Sequence, residues 1–391
     1  MRPSIRGATF LPSQRTGASF RRHCRALALF GKASRLFVPA GTVLVVAACS
    51  AAPPGLGQAS QTSASTPAAI TQSLRGSLGA RVLTAPIVMG GRLILRPLHR
   101  ASGHGYLPPA AKEPKDLLYT GDFDSGQVLL YNSKKRHPQP IGEIVDGLIC
   151  PAGVAVDGNG NVYVADDCTN NDSGSVTVYP AGQTSPSLTI TDGINCAWGV
   201  AVDSQGNVFV TNLCNSAGAV TAYHAGQTSP FETIPQSSFG PYSQPVGLAA
   251  DAGDNVWVTD DSHSTVFEIP AGSSQPQNAG LTQLKGPTGI SFDASGNLYV
   301  TNFAGNNAAI YAPGSQSPTT TITNGMDGPT ANTVTSSGRF FQGNQGAQPG
   351  GGDIQGYPPG QNEPSSFIEI PETQGLAAAP IALPKRKVQR P

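Results

Sequence analysis

One sequence block recurs five times in the chain, at a spacing of roughly 45 residues. Its first copy reads Gly-Val-Ala-Val-Asp-Gly-Asn-Gly-Asn-Val-Tyr-Val-Ala-Asp. The copies occupy residues 153–166, 199–212, 247–260, 289–302 and, with weaker similarity, 330–344. A repeat of this length with several short strands per unit predicts a radial or stacked repeat fold.

Each repeat resolves into four short strands. In the best-preserved copy they are predicted at 153–157, 161–165, 175–179 and 187–191, where Val, Thr and Tyr runs lie between Gly, Asp, Asn and Pro. The second strand is apolar or small on both faces, as expected for sheets covered on both sides. This favours an all-β propeller of four-stranded antiparallel blades, with an open β-solenoid or a sandwich as the alternative.

The two ends of the repeat region predict how the ring closes. The first repeat begins at 117–122 with a second strand and lacks a first one, whereas residues 375–382 offer a surplus strand. Placing the surplus strand innermost in blade one gives six blades and leaves no open sheet edge. The sixth blade, at about 330–371, is Gly-rich and its strands are the least clearly patterned.

These motifs carry a family resemblance. The pattern Pro-x-Gly-Val-Ala-Val-Asp-x-x-Gly-Asn-Val-Tyr-Val-Ala-Asp at 151–166 resembles the NHL repeat of six-bladed β-propellers. Tyr-Val-Thr-Asn at 299–302 is similar to the motif of bacterial secreted propellers. The resemblance covers residues 117–383. It implies the fold but no single activity, because such propellers include lyases, lactonases, adhesion modules and scaffolds.

The N-terminal region predicts export from a bacterial cell. Eight Lys and Arg residues precede an apolar segment at 36–48, which is short for a membrane span. That segment ends in Val-Ala-Ala-Cys-Ser and resembles a lipobox, in which Cys49 is lipidated. The alternative is an ordinary signal peptide with an incidental cysteine. We expect an extracytoplasmic protein of the cell envelope, anchored in the membrane through Cys49.

Composition divides the chain into four parts. They are a signal peptide (1–48), an Ala/Ser/Pro/Thr-rich tether (49–112), the propeller (113–383) and a basic tail (384–391). Within the tether, residues 93–95 predict a short strand that packs on the propeller.

Four cysteines remain in the propeller. If Asp157 pairs with Asn161 in its hairpin, Cys150 falls directly opposite Cys168. The equivalent register in the next blade places Cys196 opposite Cys214. Two disulfides, Cys150–Cys168 and Cys196–Cys214, are therefore predicted, as suits an oxidising compartment. The alternative is a four-cysteine metal site, although no Cys-x-x-Cys spacing is present.

Polar residues gather where the second strands end, at the end of the propeller that usually binds ligands. The predicted ligand face contains Asp122, Asp167, Trp198, Asp261 and His263. A ring nearer the axis is predicted from Asp166, Asn212, Asp260 and Asn302. Such a ring can bind calcium or another divalent cation through oxygen ligands. We favour strand capping instead, because Asp and Asn alternate without a metal-specific loop.

Charge narrows the range of partners. Residues 116–383 contain 23 Asp and Glu against five Lys and Arg, a net charge of −18. This argues against nucleic acid, whose binding depends on Lys and Arg contacts to phosphates. We expect a monomer.

The functional prediction is a binding or scaffolding module for a protein, glycan or small ligand. The alternative is a metal-dependent lactonase, esterase or lyase built on the axial Asp and Asn residues. The ligand face has one histidine, His263, and the chain contains no GxSxG or HExxH motif. No catalytic residue and no certain cofactor are predicted.

Overall fold

The computed structural model describes residues 87–89, 92–94, 105, 107, 117–167, 169, 173–214, 220–346, 352–370 and 373–379. The predicted signal peptide, Cys49 and the basic tail lie outside the described residues. The chain divides into two units, of which the smaller spans Arg22–Ser102. There, β1 (Ile87–Met89) pairs antiparallel with β2 (Arg92–Ile94). The strand predicted at 93–95 is thus confirmed at its first two residues.

The larger unit is a six-bladed β-propeller, and each blade is a four-stranded antiparallel sheet. From the axis outward, blade one consists of β26 (Thr373–Ala379), β3 (Leu117–Asp122), β4 (Gln127–Asn132) and β5 (Gly142–Ile144). Blade two consists of β6 (Pro151–Val156), β7 (Val162–Asp166), β8 (Ser175–Tyr179) and β9 (Leu188–Ile190). Blade three consists of β10 (Ala197–Val202), β11 (Val208–Asn212), β12 (Val220–Tyr223) and β13 (Glu232–Ile234).

The remaining blades follow the same order. Blade four consists of β14 (Pro245–Ala250), β15 (Val256–Asp260), β16 (Thr265–Ile269) and β17 (Gln277–Asn278), and a 3₁₀ turn at Gln236–Ser238 precedes it. Blade five consists of β18 (Pro287–Phe292), β19 (Leu298–Asn302), β20 (Asn307–Tyr311) and β21 (Thr320–Ile322). Blade six consists of β22 (Pro329–Val334), β23 (Phe340–Asn344), β24 (Asp353–Tyr357) and β25 (Ser366–Glu369).

The hydrophobic core lies between adjacent blades. For example, Val154 and Val164 of blade two pack with Val128 and Leu130 of blade one in one buried cluster. Other clusters fill the interfaces between the later blades and between blades six and one. Both faces of each sheet are therefore covered, which explains the apolar second strands and confirms the predicted architecture.

The C-terminal strand closes the ring, as predicted. β26 pairs with β3, from Thr373 opposite Asp122 to Ala379 opposite Leu117. Closure pairs the free edge of β3 within a single sheet. Blade six has four paired strands despite its weak repeat pattern.

The predicted register of the cysteines is wrong by one residue. Val200 pairs with Val210, but a β-bulge precedes Val200, and Ala197 therefore pairs with Asn212. Cys196, with a φ of +57°, therefore accepts a hydrogen bond from the Leu213 amide (3.1 Å) rather than lying opposite Cys214. The Cys196–Cys214 disulfide is nevertheless present, with the two Cα atoms 5.4 Å apart.

The same bulge occurs in blade two, where the Asp167 amide donates to the Cys150 carbonyl (3.1 Å). The direct opposition of Cys150 and Cys168 predicted from the register is offset in the same way. Cys150 is disulfide-bonded. Its predicted partner, Cys168, lies outside the described residues.

The innermost strands approach each other closely around the axis. A Cβ atom at Gly199 would clash with the Val246 carbonyl oxygen of the next blade. Thr211 connects the same two strands, because its Oγ1 accepts from the Gly199 amide and donates to the Val246 carbonyl, both at 2.7 Å. Thr259 repeats this contact between blades four and five. Thr301 of the Tyr-Val-Thr-Asn motif also contacts the next blade, because its Oγ1 donates to Gln342 Oε1 of blade six (2.7 Å).

Candidate functional site

The loops that enter the first strand and leave the second strand of each blade lie at one end of the propeller, which we call the ligand face. The predicted residues Asp122, Asp167, Trp198, Asp261 and His263 lie at this end. In the described part of the chain, no helix is long and apolar enough to cross a membrane.

The predicted axial residues cap the loops of their own blades. Asp166 Oδ2 accepts from the amides of Ile149 (2.6 Å) and Cys150 (3.0 Å). Asn212 Oδ1 accepts from the Asn195 amide (2.8 Å), and Asn302 Oδ1 accepts from the Lys285 amide (3.0 Å). These side chains bind the backbone just before the first strand of their blade. Either Asp or Asn can accept such a bond, so the alternation has a structural reason.

Asp260 makes the most extensive contacts of this set. It is fully buried, and its Oδ1 accepts from the amides of Gln244 (2.8 Å) and Ser262 (3.1 Å). Its Oδ2 accepts from Ser243 Oγ and lies 2.7 Å from His263 Nδ1. Hydrogen bonds of this kind compensate the cost of burying a carboxylate.

The arrangement does not form a serine–histidine nucleophile. Ser243 Oγ and His263 Nδ1 both point to the Asp260 carboxylate. Activation of a serine requires its hydroxyl to contact a base such as the imidazole. Here the carboxylate orients both groups and fixes Nδ1 as the protonated imidazole nitrogen. The His263 side chain is 39% exposed, so it is accessible to a partner.

Asp261 adds a second carboxylate beside this network. Burial and, to a lesser extent, the neighbouring charge of Asp260 raise its pKa to about 6. Its backbone is held by a hydrogen bond from the Asp261 amide to the Gln244 carbonyl (3.2 Å). A Cβ atom at Gly286 would lie 2.7 Å from Asp261 Oδ1, so the glycine leaves room for this carboxylate.

Tyr242 is the most prominent side chain on the ligand face, and the sequence reasoning missed it. It is 86% exposed and has a φ of +62°, a conformation that costs energy for a bulky residue. It belongs to the loop 235–244, which is longer than the corresponding loop 191–196. The greater length of the loop 235–244 is the feature of the sequence that could have pointed to it.

This loop is held in place on both sides of Tyr242. Phe239 is buried and packs edge-on against Phe267, with ring centroids 5.3 Å apart. The Gln236 side chain donates to the Ser243 carbonyl, and Asp260 binds Ser243 and Gln244. The loop is therefore a rigid support that presents one aromatic ring to solvent.

Further apolar groups lie on the same face. Ile149 is 38% exposed, beside the Asp166 cap. Phe123 and Trp198 lie with ring centroids 6.1 Å apart, and Trp198 also lines the mouth of the central channel. The ligand face thus combines exposed apolar and aromatic groups with the carboxylates of Asp167 and Asp261.

The central channel is narrow and lined by the first strands. Two cavities along it measure about 60 and 110 Å³. Apolar side chains such as Val200 and Leu248 alternate around it with glycine backbone, and Asn332 adds a polar group from blade six. Asp166, Asn212, Asp260 and Asn302 are not among its lining residues.

A metal centre is not apparent in the described part of the chain. There, no three His, Cys, Asp or Glu side chains are grouped so that they could hold a metal ion. Asp166 and Asp260 use their carboxylate oxygens for the loop contacts given above. The calcium site that the sequence left as the alternative to strand capping at Asp166, Asn212, Asp260 and Asn302 stays a hypothesis.

The fold is a six-bladed β-propeller, and one of its repeats is similar to a known repeat family. The family model named NHL repeat matches residues 148–179, the segment that forms most of blade two. The match covers one repeat, and the other blades are assigned from the structure. No curated protein matches the sequence.

A search of solved structures returns the following two among its matches. One is titled "Crystal structure of Nidogen/Laminin Complex", with a TM-score of 0.53, 15% identity, and coverage of 67% of this chain and 97% of that chain. The other is titled "Dihydro-heme d1 dehydrogenase NirN in complex with DHE", with a TM-score of 0.42, 17% identity, and coverage of 65% and 56%. At these identities the first likeness concerns the fold alone.

Proposed function

We propose that this protein is an extracytoplasmic propeller, tethered to the membrane by a lipid on Cys49, that binds a protein or glycan through its ligand face. The observation that carries the proposal is Tyr242, which is 86% exposed on a loop fixed to the buried Asp260. A rigid exposed aromatic ring provides large contact area at low entropic cost.

The surroundings of Tyr242 favour recognition of the surface of a protein or glycan over binding of a small molecule in a cavity. Small-molecule sites are usually cavities of about 300–1,000 Å³. The cavities of the central channel are about 60 and 110 Å³. The exposed Ile149 and the Asp261 carboxylate provide further apolar and hydrogen-bonding groups on the ligand face.

The proposed location rests on two independent features. The Cys196–Cys214 disulfide is typical of proteins that fold outside the reducing cytosol. The apolar segment 36–48, followed by Ala-Ala-Cys, has the pattern of a lipoprotein signal. The lipid can be tested separately, by palmitate labelling of the wild-type chain and of Cys49→Ser. We expect label only in the wild type, and label in both would reject Cys49 as the anchor.

The binding function is tested by capture from envelope extracts and on a glycan array, with Tyr242→Ala compared with the wild type. Phe231→Ala is the matched control, since Phe231 is 47% exposed at the other end of the propeller and stacks on His224 at 4.1 Å. We expect a partner whose capture falls at least tenfold in Tyr242→Ala and less than twofold in Phe231→Ala. Equal losses in the two variants, or no loss in Tyr242→Ala, would reject the ligand face.

A further inference from the structure

The few cations of the acidic propeller are concentrated in one place. Residues 116–383 contain five Lys and Arg residues, and four of them lie where blades six and one meet. We call this group the basic seam, and its members are Lys134, Lys135, Arg136 and Arg339. The fifth cation, Lys285, precedes β18 and lies on the ligand face, at the opposite end.

Hydrogen bonds across the seam hold these residues together. Arg136 accepts a backbone hydrogen bond from Phe367 of blade six (3.0 Å). Arg339 Nη2 donates to Ser365 Oγ (2.8 Å), two residues earlier in the same segment. Lys134, Lys135 and Arg136 are exposed, and Arg339 is half-buried over the Phe341 ring.

The basic seam lies at the end of the propeller where β3 begins and β26 ends. Leu117 pairs with both Asn132 and Ala379, so β3 starts where β4 and β26 end. Lys134 to Arg136 follow Asn132 almost directly. The tether precedes Leu117, and the basic tail with Lys385, Arg386, Lys387 and Arg390 follows Ala379 in sequence.

The hairpins at this end show why the seam is basic. In blades two to five each hairpin has an Asp and, four residues later, an Asn. Blade six has Thr335 and Arg339 at these two positions, and its Thr335 accepts from the Arg339 amide (3.1 Å). Blade one has no hairpin at this position, because β26 ends and β3 begins there. The hairpin carboxylate of blades two to five is therefore absent from blades six and one. Glu363, in the loop before β25, accepts a hydrogen bond from Asn324 Nδ2 (2.5 Å).

We propose that the basic seam docks the propeller on anionic lipid headgroups. Six-residue strands separate the two ends by about 20 Å, well beyond the Debye length of about 8 Å. The acidic ligand face is thus screened from the lipid, and docking through the seam points it away from the membrane. This goes beyond the proposed function, because it holds whether or not Tyr242 binds a partner.

The test measures partition of the full-length chain into vesicles with 30% phosphatidylglycerol and into pure phosphatidylcholine. The variant Lys135→Gln/Arg136→Gln removes two exposed cations, each contributing about fivefold at such a surface. We expect at least a tenfold loss on anionic vesicles and no change on neutral ones. The N-terminal segment is identical in the wild type and the variant, so its contribution cancels in the ratio of their partition coefficients.

Lys135→Gln and Lys285→Gln form a matched pair of single changes at opposite ends. Lys135→Gln should weaken anionic binding severalfold, and Lys285→Gln should change it less than twofold. Equal effects of the pair, or an unchanged double variant with wild-type melting, would overturn the proposal. So would a seam-dependent affinity for soluble inorganic polyphosphate that exceeds the affinity for vesicles, because it would assign the seam to a soluble polyanion.

Discussion

The repeated Asp of the Asp-x-x-Gly-Asn hairpin organises its turn through several hydrogen bonds. Asp293 Oδ1 accepts from the amides of Ser295 (2.8 Å) and Asn297 (2.9 Å), and Oδ2 accepts from Asn297 Nδ2 (2.7 Å). Asp157 and Asp203 make the same contacts. The most regular acidic residues of this chain thus serve the turns rather than a catalytic site.

Replacing this carboxylate should destabilise the protein. Asp293→Ala removes the acceptors of four donors, including the buried Tyr299 hydroxyl (3.4 Å), so the free energy of unfolding should fall by about 1–3 kcal/mol. Urea denaturation measures the change. Ser295→Ala in the same hairpin is the control, because the Ser295 side chain is exposed. Equal stability of the two variants would contradict the role given to Asp293.

Asp261 should make stability depend on pH. Its folded pKa of about 6 exceeds the value near 4 of an unfolded chain, so the folded state binds this proton more tightly. The group therefore contributes stability below about pH 4 that is lost as pH rises through about 6. Asp261→Asn should be more stable than the wild type above pH 6, by about 1–2 kcal/mol. Unfolding curves that differ by a constant amount from pH 4 to 8 would contradict this.

At the scale of the strand, the geometry around the axis depends on glycine. The first strands of adjacent blades approach so closely that Gly199 lies against the Val246 carbonyl. A bulge in each first strand accompanies this approach, for example between Ala197 and Val200. The regular spacing of the repeat within this chain thus reflects contacts between blades as well as pairing within them.

Gly199→Ala should therefore destabilise the ring. The added Cβ would displace the neighbouring strand, and we expect a loss of about 2 kcal/mol or more. Gly158→Ala is the control, because a Cβ atom there would meet no atom within 4 Å. Thermal unfolding of the pair distinguishes the two cases. A Gly199→Ala midpoint as high as that of Gly158→Ala would show that the inner strands are not tightly packed.

The strands were largely predictable, whereas the bulge and the ligand loop were not. The hairpin motifs and the missing first strand of blade one predict the blades and their closure by β26. The bulge before Val200 arises from packing at the axis, so a register counted from the hairpin failed at Cys196. Tyr242 lies in a loop outside the repeat, and its exposure depends on how that loop folds against Asp260.

At the scale of the whole molecule, carboxylates lie at both ends of the propeller, but its cations are concentrated where blades six and one meet. Carboxylates such as Asp167 and Asp261 lie on the ligand face, and four of the five cations of residues 116–383 form the basic seam. The fold therefore holds two surfaces apart, one for a partner and one for lipid.

Metal ions should not change the stability of the propeller. The Asp166 and Asp260 carboxylates already accept bonds from backbone and side-chain donors. We expect the same melting midpoint for the non-reduced protein in EDTA, calcium, magnesium or zinc. Binding to the folded state would raise the midpoint, so a rise of several degrees with one metal would support the axial site instead.

The most direct test of the binding account is photo-crosslinking in intact cells. The full chain carries benzoylphenylalanine at position 242 in one strain and at position 231 in the other. The account predicts one discrete crosslinked species from position 242 and none from position 231. Crosslinks from position 231 alone, or the same species from both positions, would show that the partner does not bind at the ligand face.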